Sequence, residues 1–441
     1  MTFTNKQILR ITMPVLLSLM MEQLIGLTDT AYLGRVGEIE LGASALAGIF
    51  YLMLFMLGFG FSIGAQVLIA RRNGETKFAS IGPILNQGVL FLLLMALILS
   101  VLSHYFSPYI LHHLIESEQV AEAAISYLDY RVFGLFFSFT GTMFRAFYVG
   151  TTRTKILTIS SLTMVGCNVI LNYLLIFGEY GFPKMGIAGA AIASTISEAI
   201  AMLFIIVYTY YKTNWKLYGL FKWEGIKTNM LKQILGISIW TMIQEAIAFG
   251  GWFIFFIAIE HLGERPLAIT NVVRSISSVI FMFINAFAST SSALVSNLIG
   301  AGAIEEVRKL CKRITLLCFC FVIPLSIIAA LFPYNTLSIY TDNPELINAS
   351  VASLWVMLTT MIPCVPAFVY QFSVSGTGNT KTALFFTSVS ALFYVAYTIV
   401  LVYILQTDVA ICWTTDHLYY TITFILSVLY IRSGKWKKIN I

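Results

Sequence analysis

The residues able to do chemistry in this chain are a few carboxylates and amides set inside long apolar runs. Glu22 and Asp29 lie seven apart in the first run, two helical turns, and so share one helix face. Glu198 and Glu245 sit inside two later runs, and Asn168 and Asn172, four apart, share a face in another. A charge near the centre of a bilayer costs about 3 kcal/mol or more, so each buried acid is a functional candidate by default. A carboxyl can take up and release a proton. The asparagine carbonyls can accept from a protonated carboxyl or coordinate a cation; the alternative use of such amides is hydrogen bonding between helices. Asp129 and Glu260 lie nearer the ends of their runs, where solvation is expected.

Other chemistries find no residues. There is no HExxH, no GxSxG and no histidine cluster; His104, His112, His113, His261 and His417 fall at run ends or in loops. This argues against an intramembrane enzyme, and no cofactor or metal site is expected. Cys167, Cys311, Cys318, Cys320, Cys364 and Cys412 all sit in apolar stretches and read as small buried hydrophobes. Arg145 and Arg274 lie near membrane depth. Snorkelling to the interface is the preferred reading for both, with pairing to an acid as the alternative for Arg274.

The elements that must hold these residues follow from composition. Of 441 residues, 58% are apolar and only 11% charged, with a mean hydropathy of +0.84. A soluble domain carries about 25% charged residues, so ordinary cytosolic enzymes, disordered chains and nucleic-acid binders are excluded. No cleavable signal peptide is expected, since the first run holds Glu22 and Asp29. Twelve runs are long enough for transmembrane helices, centred near residues 20, 57, 94, 137, 167, 198, 247, 283, 322, 361, 393 and 420. Lys and Arg concentrate in alternate loops and at both ends. Examples are Arg71, Arg72 and Lys77, then Lys212 to Lys232, then Arg308 to Arg313, then Lys435 to Lys438. The intervening loops carry only Arg35, Lys184 and Arg265. Positive charge stays cytoplasmic, so both termini are expected there, which requires an even number of spans.

The chain also repeats itself. Gly150-Thr151-Thr152-Arg153-Thr154-Lys155 matches Gly376-Thr377-Gly378-Asn379-Thr380-Lys381, and the same offset of 226 (376 minus 150) relates Gly37 to Gly263, Leu68 to Leu294 and Gly74 to Gly300. Each half then has six spans and enters the membrane in the same direction, a parallel repeat of the kind transporters use. The expected organisation is all-α: twelve transmembrane helices in two six-helix bundles, related by a pseudo-twofold axis along the membrane normal. The lobes are residues 1–211 and 233–441, with a basic cytoplasmic linker at 212–232. At the repeat offset Asp29 corresponds to Phe255, Asn168 to Tyr394, Asn172 to Thr398 and Ser194 to Tyr420. The first half therefore holds a polar cluster where the second holds mostly aromatics, and Glu245 reads as the one central acid of the second half.

Thr28-Asp29-Thr30-Ala31-Tyr32-Leu33-Gly34, Asn168-Val169-Ile170-Leu171-Asn172-Tyr173 and Gly186-Ile187-Ala188-Gly189-Ala190-Ala191-Ile192-Ala193-Ser194, in this order on twelve spans, resemble the multidrug and toxic compound extrusion (MATE) family of antiporters, bacterial branch. The resemblance implies export of organic cations, drugs and other amphiphiles by alternating access, driven by inward H⁺ or Na⁺, in the bacterial cytoplasmic membrane. It implies that Asp29, Asn168, Asn172 and Ser194 form the ion and proton site of the first lobe, and Glu245 a second-lobe cation or proton site. Three positions depart from the pattern. Cys364 stands where the bacterial branch often has an Asp, Asn172 stands where some relatives have Asp, and Ser375-Gly376 stands where many have Arg-Gly. Glu22 and Glu198 match no motif and either add proton-accepting capacity or pair structurally. A flippase of lipid-linked sugars, or an exporter of another metabolite, is the alternative; few Arg or Lys lie within the spans to receive a pyrophosphate. The expected partners are small cationic or amphiphilic substrates and membrane lipids, not nucleic acid, and the expected state is a monomer.

Overall fold

A computed structural model describes residues 2–115, 117–222 and 225–439. Among the described residues the chain is helical, without strands. Its contacts divide it into two units, Met13–Ser238 and Met1–Thr12 with Ile239–Ile441. The first seven helices are α1 (Asn5–Leu33), α2 (Glu38–Gly74), α3 (Ile81–Leu114), α4 (Glu118–Arg131), α5 (Gly134–Gly150), α6 (Lys155–Phe177) and α7 (Gly186–Lys212), followed by the short α8 (Trp215–Tyr218). The second half holds α9 (Thr228–Glu260), α10 (Glu264–Gly300), α11 (Val307–Leu331), the short α12 (Pro333–Leu337), α13 (Pro344–Gly376), α14 (Thr380–Ile399), the short α15 (Val409–Cys412) and α16 (Thr414–Ser433).

A long helix covers each of the twelve expected centres. Ten pass individually as long and apolar enough to cross a membrane; α4 and α5 pass together, bent by 52°. The helix near residue 420, α16, carries Asp416, His417 and Arg432, which lower its hydropathy. Local sequence sets the ends. Glu38 and Glu40 open α2 and Arg71 and Arg72 close it, each charge opposing the helix dipole. Asn343 caps α13 by accepting from the N–H groups of Glu345 and Leu346 at 3.0 and 3.3 Å, and Pro344 follows at the first helical position.

The polarity of the fold is that of a membrane protein. Large apolar side chains face outward on α3, such as Ile98 at 59% and Phe106 at 57% exposed. Small hydroxyls are buried instead: Ser291 on α10 and Ser373 on α13 meet at 2.6 Å between the helices. The first dozen residues pack with the second half, where Thr12 donates to Thr290 at 3.2 Å and Arg313 to the Phe3 carbonyl at 3.1 Å. The expected linker belongs with the first half as far as it is described. Gln87 and Asn86 on α3 donate to the carbonyls of Gly225 and Lys222 at 2.8 and 3.1 Å. Residues 223 and 224 lie outside the described residues. Cys311, Cys318, Cys364 and Cys412 are buried as expected, but Cys320 is exposed and Cys167 partly so.

Candidate ion-coupling site

Three helices of the first unit bring the expected polar residues together. α6 ends on Gly178, whose φ of +75° starts the return to α7. α7 opens with Gly186-Ile187-Ala188-Gly189-Ala190-Ala191, a run of small residues that lets two backbones approach. At Gly189 a Cβ atom would stand 2.6 Å from the Leu175 carbonyl oxygen, so only glycine permits this spacing of α6 and α7. The close packing carries Ser194 on α7 to the face of α6 that holds Asn168 and Asn172, both fully buried.

Asp29 enters from α1. Its Oδ1 accepts from Asn172 Nδ2 at 2.5 Å and its Oδ2 from Ser194 Oγ at 3.1 Å. Asn172 Nδ2 also donates to Asn168 Oδ1 at 3.0 Å, and Asn168 Nδ2 donates to Ser194 Oγ at 3.0 Å. The four side chains expected from the sequence therefore form one closed ring. Asn172 Oδ1 is buried within it without a hydrogen-bond partner. The four side chains carry five oxygens: two carboxylate, two amide and one hydroxyl. A small hard cation prefers such a donor set, and a protonated carboxyl would find an acceptor in the orphan amide oxygen. Among the described residues no group of three His, Cys, Asp or Glu side chains is placed to bind a metal ion.

The other two acids expected inside the spans of this unit are occupied. Glu22 forms an ion pair with Arg145 on α5. Ser18 joins them, accepting from Arg145 at 2.7 Å and lying 2.7 Å from Ser161. Arg145 thus does not snorkel to the interface: a carboxylate one turn from Ser18 on α1 holds it among the helices. Glu198 is held by both guanidinium nitrogens of Arg131, at 2.5 and 2.9 Å, and Arg131 lies 3.8 Å over the Tyr51 ring. Arg131 belongs to the site's surroundings, though sequence gives no sign of it. At the end of an apolar run it resembles an ordinary interfacial arginine.

In the second unit the repeat partners of the polar ring form an aromatic cluster. Phe255 on α9 packs on Tyr394 of α14 at 6.0 Å and on Trp413 at 5.7 Å. Tyr394 meets Tyr419 at 5.8 Å, and Tyr419 meets Tyr420 at 5.2 Å. Glu245 on α9 is not alone there. Asp416, at the start of α16, interacts with Tyr394, and Tyr419 interacts electrostatically with both Glu245 and Asp416. The expectation of a single central acid is therefore corrected. Asp416 lies four residues before Tyr420 in the last span, and its polar neighbours His417 and Thr415 make it resemble a loop residue. Cys364 is fully buried on α13, where Tyr420 and Asp416 act on it electrostatically. Arg274 lies 5.6 Å over each of the Trp252 and Phe256 rings, and among the described residues no acid pairs with it.

The MatE family model matches the chain twice, over residues 14–174 and 241–400. The chain belongs to the MatE family. The two matches begin 227 residues apart (241 minus 14) and end 226 apart (400 minus 174), the offset of the internal repeat. Relatives include the probable multidrug resistance protein NorM of Thermotoga maritima, 24% identical over 98% of this chain and 93% of that one. The NorM relative of Pasteurella multocida is 22% identical over 87% of this chain and 82% of that one. A MOP superfamily transporter from Pyrococcus furiosus has the same fold, with a TM-score of 0.91 at 17% identity, covering 99% of this chain and 97% of that one. A eukaryotic MATE transporter matches with a TM-score of 0.87 at 18% identity over 98% and 96% of the two chains. The chain is a multi-pass membrane transporter, not an enzyme, and its family relatives and structural neighbours are likewise transporters.

Proposed function

We propose that this MatE protein is a secondary antiporter that exports organic cations and other amphiphiles in exchange for inward H⁺ or Na⁺, with Asp29 as the coupling carboxylate. The observation that carries the reading is a charge account. Among the acids that the sequence sets inside the spans of the first unit, Glu22 and Glu198 each have an arginine, while the hydrogen-bond partners of Asp29 are all neutral. A buried carboxylate without a paired cation is costly, and a proton or a bound cation removes that cost. Ion binding changes the charge and hydrogen bonding of the ring joining α1, α6 and α7, and so biases two packings of the lobe. Protonation is the favoured form of coupling, because position 172 supplies an amide where a second carboxylate would strengthen a sodium site.

In the second unit Glu245 and Asp416, set among Tyr394 and Tyr419, suit recognition of a positively charged substrate or a second protonation step. The protein is assigned to a bacterial cytoplasmic membrane with both termini inside, acting as a monomer. The relatives named NorM are multidrug resistance proteins, which supports the substrate class. The test is efflux of ethidium from proteoliposomes under an imposed pH gradient without Na⁺, then under an imposed Na⁺ gradient at uniform pH. Proton coupling gives a response to the first that Asp29→Asn abolishes. Efflux indifferent to pH but driven by Na⁺ makes the ring a sodium site, and efflux indifferent to both refutes the antiporter.

A further inference from the structure

The Arg131–Glu198 pair sits one helical turn from the coupling ring along α7. On α7, Ser194 donates to Asp29 and Glu198, four residues on, accepts from Arg131. On α4, Tyr127 precedes Arg131 by four residues and is buried, and it interacts electrostatically with both Asp29 and Arg131. The pair also occupies the break between α4 and α5. Gly134, the first residue after that break, lies so close that a Cβ there would meet Arg131 Nη1, Glu198 Oε2 at 2.6 Å and the Tyr51 hydroxyl at 3.2 Å. Tyr51 on α2 backs the guanidinium and is itself 3.1 Å from Ser138. Both charged side chains are largely buried, Arg131 at 10% and Glu198 at 17% exposed. Asp29 faces Asn168 and Asn172 from α6, Ser194 from α7 and Tyr127 from α4, and the Arg131 charge acts on it.

We propose that Arg131 and Glu198 are positioning residues of the coupling site: they bind no ion, and the balance of their two charges sets the electrostatic potential at Asp29. A buried ion pair is weak as a source of stability. What this one supplies is a fixed positive charge beside the coupling carboxylate, held in place and almost cancelled by Glu198. The guanidinium is planar and fixed at two points, so it cannot swing to Asp29 without releasing Glu198. Asp29 is therefore left free for the transported ion, and how tightly it holds that ion depends on how fully Glu198 covers the arginine. This inference rests on the proposed coupling role of Asp29.

The magnitude follows from the helix. Four residues of α7 rise about 6 Å, and Ser194 stands 3.1 Å from Asp29, so Glu198 lies on the order of 10 Å from the carboxylate. Removing one unit charge at that distance, at an effective dielectric near 20, changes cation affinity about tenfold or somewhat more.

The experiment measures ethidium efflux from proteoliposomes against the concentration of the driving ion, protons or Na⁺, whichever drives the unaltered protein. Glu198→Gln keeps a hydrogen-bond acceptor for Arg131 but uncovers its charge. The driving-ion concentration for half-maximal efflux is expected to rise about tenfold, with efflux at saturating ion nearly unchanged. The double variant Arg131→Gln with Glu198→Gln removes both charges and lets the amides bond each other. Because the Arg131 charge acts on Asp29 more strongly than the Glu198 charge does, the half-maximal concentration should fall below that of the unaltered protein, by about threefold. Opposite displacements from two neutralising changes are not what a structural staple gives. If both variants lower expression or maximal efflux while the half-maximal concentration stays fixed, the inference is overturned. Should Glu198→Gln fail to insert, the double variant decides alone by the direction of its displacement. Asp29→Asn, measured in parallel, separates this inference from the reading beneath it. An ion response that survives Asp29→Asn removes the coupling assignment. An ion response abolished there, yet undisplaced in the pair variants, removes only the role of the pair.

Discussion

Gly189→Ala tests whether the spacing of α6 and α7, remote from any ligand atom, sets the geometry of the coupling ring. The added Cβ would lie 2.6 Å from the Leu175 carbonyl oxygen and 3.1 Å from the Ile176 nitrogen, both backbone atoms that no rotamer change can move. Ordinary contact for a Cβ starts at 3.4 Å, so the helices must separate by about 0.8 Å (3.4 minus 2.6). Ser194 lies five residues further along the same helix, and its bonds to Asn168 and Asp29 span 3.0 and 3.1 Å. Stretched by that amount they pass about 3.8 Å and no longer count as hydrogen bonds. Overpacking of this kind costs about 1–3 kcal/mol of stability, and losing a bond to a charged group costs about 1.5–3 kcal/mol of site energy. The expected protein inserts, unfolds at a modestly lower temperature in detergent, and needs at least about tenfold more driving ion for half-maximal ethidium efflux. Gly141→Ala is the control: nothing lies within 4 Å of where its Cβ would stand, so both values should be unchanged. A Gly189→Ala protein with the unaltered ion dependence would refute the reasoning, because the ring would then not depend on the helix spacing.

Asp29→Asn and Asp29→Ala should both abolish ion-driven efflux yet differ in stability. The amide can re-form the ring through the orphan Asn172 Oδ1, whereas alanine strands the Asn172 and Ser194 donors at about 1–3 kcal/mol each, which thermal unfolding in detergent will measure. Glu245→Gln and Asp416→Asn should each weaken efflux of cationic dyes more than of neutral ones; an equal loss across substrate charge would assign both acids to structure or coupling. Arg145→Gln leaves Glu22, 38% exposed, without its cation and should cost about 1 kcal/mol, while adding Glu22→Gln should recover most of that loss in the same unfolding assay.

The apolar runs alone determined that this chain is a bundle of membrane helices, because water is absent from the bilayer core and every backbone group there must be satisfied within its own helix. Run length set the number of spans, and the repeat at offset 226 divided them into halves. The ring was legible too, since Asn168 and Asn172 stand one turn apart and Asp29 is an acid with no reason to be in an apolar run. Partner choice was not legible. Whether Arg145 reaches water or Glu22 depends on which face α5 turns to α1, and hydropathy does not encode rotation about a helix axis. Arg131 and Asp416 escaped for a related reason. Each lies near the end of a helical segment, where sequence suggests solvent, and only the 52° bend after α4 and the packing of α16 against α14 bring them inside. Sequence placed the charges at their depths in the membrane. Tertiary packing decided which of them were neutralised by a neighbour, and so gave Glu22 and Glu198 each an arginine while the hydrogen-bond partners of Asp29 stayed neutral.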